Sequence, residues 1–178
     1  AIVALTASVE RCGWDVPLGW PDGFVALLRA HHDHPTGTGG RRSGGVIDAG
    51  PEARRQLRYR LTDRRFAETG LWPLSVSTDL IGVPALRAAA LQRRLGERGV
   101  IVDRSGTTGA IAETYPAGAL AAWDWPARGY KGAAGSEVRA GLVRRLVDAL
   151  PQLTLTAVHR GAMAGSDDRL DAFICALV

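Results

Sequence analysis

Apolar positions recur with a helical period in some stretches of this chain and gather into short runs in others. Ala1–Ser8 reads as the end of a helix or a short apolar element, and Arg11–Asp15 as a short strand. Pro17-Leu18-Gly19-Trp20-Pro21 is a turn, punctuated by prolines and a glycine. Pro21 suits a helix start, and Asp22–His32 carries Phe24, Leu27 and Leu28 at helical spacing. Glu52–Leu57 reads as a short helix and Tyr59–Asp63 as extended chain, with Thr62 or Asp63 capping Arg64–Glu68. Thr78 or Asp79 caps a helical region in which Pro84 sets the start of the continuous helix near Val83, running to Gly99. Val100–Val102 and Ala110–Thr114 read as a hairpin around Arg104–Gly109. Pro116–Trp123 is a helix with proline in its first turn. Ser136–Leu150 is amphipathic through Val138, Leu142, Leu146 and Leu150, and Pro151 stops it. Leu153–His159 alternates like a strand or continues as a linker, and Asp168–Val178 is a helix that the chain end cuts short. Strands alternate with helices, which gives the α/β class.

The length, 178 residues, suggests a single domain, and 46% hydrophobic residues supply a real core. No apolar run is long enough to span a membrane, and no secretory signal pattern is visible. The chain opens on Ala1 inside an apolar element, without an initiator methionine, and reads as an excised piece of a longer protein. The formal net charge is +4, carried almost entirely by arginine; Lys131 is the only lysine. That balance permits a polyanionic partner without demanding one. Cys12 and Cys175 are far apart, fit no metal spacing and lie in apolar runs. They read as free buried thiols, in keeping with a reducing cytoplasm.

The acids change the picture. Asp15 closes a short apolar run ahead of a turn, and Glu113 does the same after Ala110-Ile111-Ala112. Asp167, Asp168 and Asp171 open the apolar C-terminal segment; Asp168 and Asp171 share one helix face, while Asp167 faces elsewhere. Carboxylates at the ends of buried strands are poorly solvated and persist when they bind a metal or work as acid/base pairs. If the segments meet, their hard oxygens suit Mg²⁺ or Mn²⁺. Each acid also has a plainer reading, as a turn starter, a strand end or a helix cap. Arg60, Thr62, Asp63 and Lys131 are candidate phosphate contacts, against an Arg60–Asp63 surface pair and a solvated lysine. His31 and His34 share a helix face, but a solvated helix end explains them. The Gly-rich loop His34–Gly45 lacks a phosphate-loop ending, and its Arg41 and Arg42 are candidate contacts to a nucleic-acid backbone. No serine-hydrolase elbow and no dinucleotide fingerprint is present.

Five strings occur in one order: Trp14-Asp15-Val16-Pro17-Leu18-Gly19-Trp20-Pro21, Tyr59-Arg60-Leu61-Thr62-Asp63, Glu113-Thr114-Tyr115-Pro116-Ala117, Tyr130-Lys131-Gly132 and Asp167-Asp168-Arg169-Leu170-Asp171-Ala172-Phe173. That order resembles the domain-of-unknown-function 429 family, described as predicted nucleases with a ribonuclease H-like fold. The resemblance runs from about residue 9 to the end. It implies a mixed sheet flanked by helices, with carboxylates converging on a divalent metal. On that pattern Asp15 is a strand-end ligand, Glu113 the second strand-end carboxylate, and Asp168 or Asp171 the ligand from the C-terminal helix. Arg60, Asp63, Tyr115 and Lys131 fall on the substrate side of the same motifs. Ribonuclease H-like folds open with a strand carrying a central aspartate. No such strand precedes Asp15 here, so the first strands are expected to be absent from this chain, leaving a sheet edge.

The leading expectation is a nuclease that uses carboxylate-held Mg²⁺ or Mn²⁺ for phosphodiester hydrolysis. Two rivals stand beside it. One is an inactive relative that binds nucleic acid or a partner protein. The other is a hydrolase of another phosphate-bearing substrate, such as a nucleotide.

Overall fold

A computed structural model describes residues 2–33, 50–104 and 108–178. His34 and the Gly-rich loop with Arg41 and Arg42 lie outside the described residues, as does the side chain of His31. The architecture is mixed α/β, mostly helical, with one small parallel sheet among the described residues. The elements are α1 (Ile2–Thr6), β1 (Cys12–Trp14), α2 (Asp22–Asp33), α3 (Pro51–Arg58), α4 (Leu61–Ala67), α5 (Gly82–Gly96), β2 (Ile111–Glu113), α6 (Pro116–Ala122), α7 (Ser136–Ala149), α8 (Ala157–Gly165) and α9 (Asp167–Leu177). The chain divides into two compact units, unit 1 (Ala1–Val16 with Arg94–Val178) and unit 2 (Pro17–Arg93).

Unit 1 is built on β1 and β2, which pair in parallel: Cys12 with Ile111, Gly13 with Ala112 and Trp14 with Glu113. The hairpin expected over 100–114 does not form. Residues 100–102 are not a strand, and the strand that follows pairs with β1, about a hundred residues earlier in sequence. Alternation along a short run marks strand character but carries no information about its partner. Helix α9 packs against β1 so closely that a Cβ on Gly13 would collide with the Cys175 carbonyl and lie 2.9 Å from Thr114 Cγ2. The core beneath is Leu120 from α6, Tyr130, Leu142, Val143 and Leu146 from α7, Met163 from α8, and Leu170 and Ile174 from α9. These side chains fill the interior with apolar volume, and each such burial contributes roughly 1.5–3 kcal/mol for a leucine-sized group.

The ends of these helices follow local chemistry. Pro116 occupies the first turn of α6 behind Tyr115, where its missing N–H costs nothing. Ser166 caps α9 by accepting from Arg169 N at 3.4 Å. Of the strand or linker read over Leu153–His159, residues 153–156 are linker, and α8 takes the rest. Thr156 accepts from His159 N at 3.3 Å, while His159 Nδ1 accepts from Thr156 N at 3.4 Å. This reciprocal cap uses histidine where glutamate or glutamine is usual, which hid the helix start in the sequence.

Unit 2 holds α2, α3, α4 and most of α5. Pro51 starts α3. Helix α4 begins earlier than a cap at Thr62 or Asp63 would allow. Asp63 sits inside its first turn and accepts from Arg60 N at 2.9 Å, so the carboxylate closes the helix from within. Ser75 Oγ donates to Arg58 O at 2.6 Å, Ser75 N donates to Asp79 Oδ2 at 2.6 Å, and Gln92 Nε2 donates to Leu18 O at 3.2 Å. Leu18, Val76, Ala85 and Ala88 form its small buried set. No helix among the described residues is long and apolar enough to cross a membrane.

Candidate functional site

Parallel pairing sends both strands of unit 1 toward the same edge, so the residues that follow each strand emerge side by side. Ligands of parallel sheets sit outside those carboxyl ends. Asp15 follows β1 directly, and Glu113, Thr114 and Tyr115 end and follow β2. Thr114 N donates to Trp14 O at 2.9 Å, which ties the two exits together. Behind them runs α9, whose first two turns carry Asp167, Asp168 and Asp171.

Lys131 enters from the loop before α7. Its ammonium pairs with Asp171 Oδ2, and Tyr130 Oη donates to Asp171 Oδ1 at 3.0 Å. Asp171 is buried and spends both oxygens on these partners, whereas the Lys131 side chain remains 55% exposed. Asp167, expected to face elsewhere, instead accepts from Gly132 N at 2.9 Å and so fixes the same loop. The loop is also gripped from below. Buried Arg139 donates from Nη1 to Tyr130 O at 2.7 Å and to Gly132 O at 2.6 Å, and from Nε to Ala164 O at 2.9 Å. Its guanidinium meets the carbonyls on both sides of Lys131, which sets the backbone from which that lysine projects.

The electrostatics show which groups share a field. Asp15 keeps access to solvent, yet partial burial pushes its carboxyl above the usual range, reinforced by the charges of Asp171, Asp168 and Glu113 and opposed by Lys131. Burial works to lower Lys131, but its hydrogen bond to Asp171, with the charges of Asp171, Asp15 and Asp167, outweighs this and raises it. Tyr115 is raised by burial and by the charge of Asp15, against Lys131 and Arg128. Burial and then the charge of and hydrogen bond to Asp171 push the Tyr130 hydroxyl up strongly. Hydrogen bonding from Gly132 N holds Asp167 below its ordinary value. Burial raises the Cys175 thiol, partly offset by the hydrogen bond from Thr114 Oγ1 at 2.8 Å. Cys12 and Cys175 are free thiols; Cys175 is buried and Cys12 half-buried.

The sequence-predicted acids Glu113, Asp168 and Asp171 and the predicted Lys131 therefore all bear on Asp15, and Asp15 in turn on Tyr115. Arg60 and Asp63 belong to unit 2, where they hold each other: Arg60 Nε donates to Asp63 Oδ2 at 3.0 Å and Nη2 to Oδ1 at 2.8 Å, with Asp63 only 3% exposed. Arg139 escaped the sequence reading, and Tyr130 entered it only within the string Tyr130-Lys131-Gly132, without a role of its own. The available signal was an arginine four residues before Val143 on the apolar face of α7.

The donors test the fit of a divalent cation. They are all hard carboxylate oxygens, and burial first, then the charges of the neighbouring carboxylates, raise Asp15, a condition that a cation relieves. Lys131 already stands as a cation on Asp171. Among the described residues, however, no group of three or more His, Cys, Asp or Glu is gathered so as to hold a metal ion. The donor chemistry fits; the arrangement is an open, charge-recruiting cluster and not a closed cage.

The fold and site define a helix-rich α/β protein with a carboxylate-lined edge beyond two parallel strands. A family model described as "Protein of unknown function (DUF429)" matches residues 1–178, and the chain belongs to that family. No curated protein and no solved structure matches it.

Proposed function

We propose that this protein is a metal-dependent phosphodiester hydrolase acting on nucleic acid, on a ribonuclease H-like fold to whose sheet β1 and β2 belong. The observation that carries the reading is that the parallel strands release Asp15 and Glu113 at one edge, where the charges of Glu113, Asp168 and Asp171 all bear on Asp15. Asp15, Glu113 and Asp168 are not gathered as a cage; drawn together they would hold Mg²⁺ or Mn²⁺, and the ion when bound would supply an activated water and neutralise phosphate charge. Asp171 anchors Lys131 and Tyr130. Lys131 presents its ammonium to an incoming phosphate and stabilises charge that develops there. Tyr115 offers its hydroxyl beside Asp15. Asp15, with its raised carboxyl, is the group suited to hold or pass a proton. The unbridged Cys12 and Cys175 favour a reducing cytoplasm.

The open cluster favours a second reading, a relative that binds nucleic acid or protein without cleaving it. The same experiment separates the two. Cleavage of single- and double-stranded DNA and RNA is followed with Mn²⁺, alongside calorimetric titration of the ion. Asp15→Asn is expected to abolish Mn²⁺-dependent cleavage while circular dichroism stays unchanged. Full activity in that variant overturns the assignment, and salt-sensitive binding without any cleavage establishes the second reading.

A further inference from the structure

Unit 2 concentrates its arginines in one short stretch. Arg54, Arg55, Arg58, Arg60, Arg64 and Arg65 all fall in α3, α4 and the residues between them. No residue of α3 is buried, and Arg54, Arg55, Arg58 and Arg65 are exposed. The stretch is interleaved with aromatic surface. The Arg55 guanidinium lies 4.6 Å from the centroid of the Trp72 ring, and that of Arg58 lies 5.2 Å from the Tyr59 ring. Tyr59 and Trp72 meet with centroids 5.3 Å apart at 60°. Trp72 is nevertheless 48% exposed.

An ordinary solvated charge run does not build such a row. Its side chains extend into water, and its aromatics are buried beneath them. Here two rings in contact, Trp72 and Tyr59, are flanked by the guanidiniums of Arg55 and Arg58, so π surface and positive charge are presented together. We propose that this face binds single-stranded nucleic acid, with bases stacking on the rings and guanidinium planes and phosphates meeting the arginine charges. A duplex hides its base faces within its own stack and offers the rings nothing. An acidic peptide answers the charges and leaves the rings unpaired. The inference rests on the nuclease reading for its role, which is to name the substrate class, but the binding itself requires no cleavage and no metal.

The test is fluorescence anisotropy of the full chain with fluorescein-labelled oligothymidylate of about 20 nucleotides, in EDTA, across a salt series. Trp72→Ala is expected to weaken binding by roughly 10-fold with an unchanged salt slope, and Trp72→Phe by no more than about 3-fold. Arg55→Gln with Arg58→Gln is expected to flatten the salt slope by about two phosphate contacts. Equal affinity of Trp72→Ala and the parent overturns the proposal. So does equally tight binding of a duplex of the same length, or competition by polyglutamate as strong as by the oligonucleotide. If nothing is cleaved under any condition yet Trp72-dependent binding persists, the hydrolase reading falls and this one stands. If cleavage depends on Asp15 while binding ignores Trp72, the reverse holds. Circular dichroism of each variant separates lost binding from lost folding, and Trp72→Phe preserves the ring where alanine disturbs the fold.

Discussion

Unit 1 buries Leu120, Leu142, Leu146, Leu170 and Ile174 to 1% exposure or less, whereas unit 2 leaves Leu80 at 90% and Leu86 at 62%. The first is organised by an apolar core, the second by side-chain bonds to backbone such as those of Asp63, Ser75 and Gln92. Unit 2 also opens an apolar cleft of about 630 Å³, lined by Trp20, Phe24, Leu28, Val76, Leu80 and Leu86. The buried ionic groups of the candidate site, Arg139 and Asp171, lie in the unit with the larger core. Burying charge is costly unless its hydrogen bonds are met, and in unit 1 the packed surround holds those partners in place. The difference teaches that the site is supported by packing, while the arginine face of unit 2 is a surface feature whose cations remain in water.

The sharpest way to break this comparison is to cut the core. Leu170→Ala is expected to destabilise the protein by about 2–5 kcal/mol in denaturant unfolding, and a cost near zero removes the claim that unit 1 is core-supported. Next comes Arg139→Leu, which leaves the carbonyls of Tyr130, Gly132 and Ala164 without their donor at an expected cost of about 2–4 kcal/mol. It should also release the Lys131 loop. Because Lys131 is the only lysine, its dimethylated side chain has a signal that no other residue crowds, and that signal should lose its upward pKa shift. A shift that survives intact means the loop is held without Arg139.

In unit 2, Asp63→Ala removes the bonds to Arg60 and the helix closure, with an expected loss of about 1–3 kcal/mol by the same measurement. A loss as large as that of Leu170→Ala would erase the distinction between the units. Smaller still is Asp15→Asn. A carboxyl raised in the folded state binds its proton more tightly folded than unfolded, so stability rises as pH falls through the raised value. It levels off below the ordinary carboxylate range. The asparagine variant is therefore expected to melt slightly higher than the parent at neutral pH, by about 0.5 kcal/mol or less since solvent screens the group, with the gain gone in acid. A lower melting temperature at neutral pH contradicts the shared field. Least of all is Leu80→Ala, expected to change stability by no more than about 0.5 kcal/mol.

Much of the helical framework was legible because its signals are local. Pro21, Pro51 and Pro116 sit at or beside the starts of α2, α3 and α6, and the four-residue spacing of α7 together with Pro151 bounds that helix closely. The failures have local causes too: histidine in the Thr156 cap, and Asp63 acting from inside α4 instead of ahead of it. The acids Asp15, Glu113, Asp168 and Asp171 were legible as misfits, each polar at the edge of an apolar run. Their contacts were not: Tyr130-Lys131-Gly132 stood out as a string, but its bonds to Asp171 and Asp167 join segments far apart in sequence.

By itself the sequence determined the α/β class, most helix positions, the family and the identity of the acids, because periodicity, proline placement and motif order are properties of neighbouring residues. Only the tertiary structure decided that β2 pairs in parallel with β1, that Asp171 is bound to Lys131 and Tyr130, and that Asp167 turns onto Gly132. Those choices depend on which distant segments are brought together by burying Leu142, Leu170 and Ile174, and no local pattern encodes that outcome.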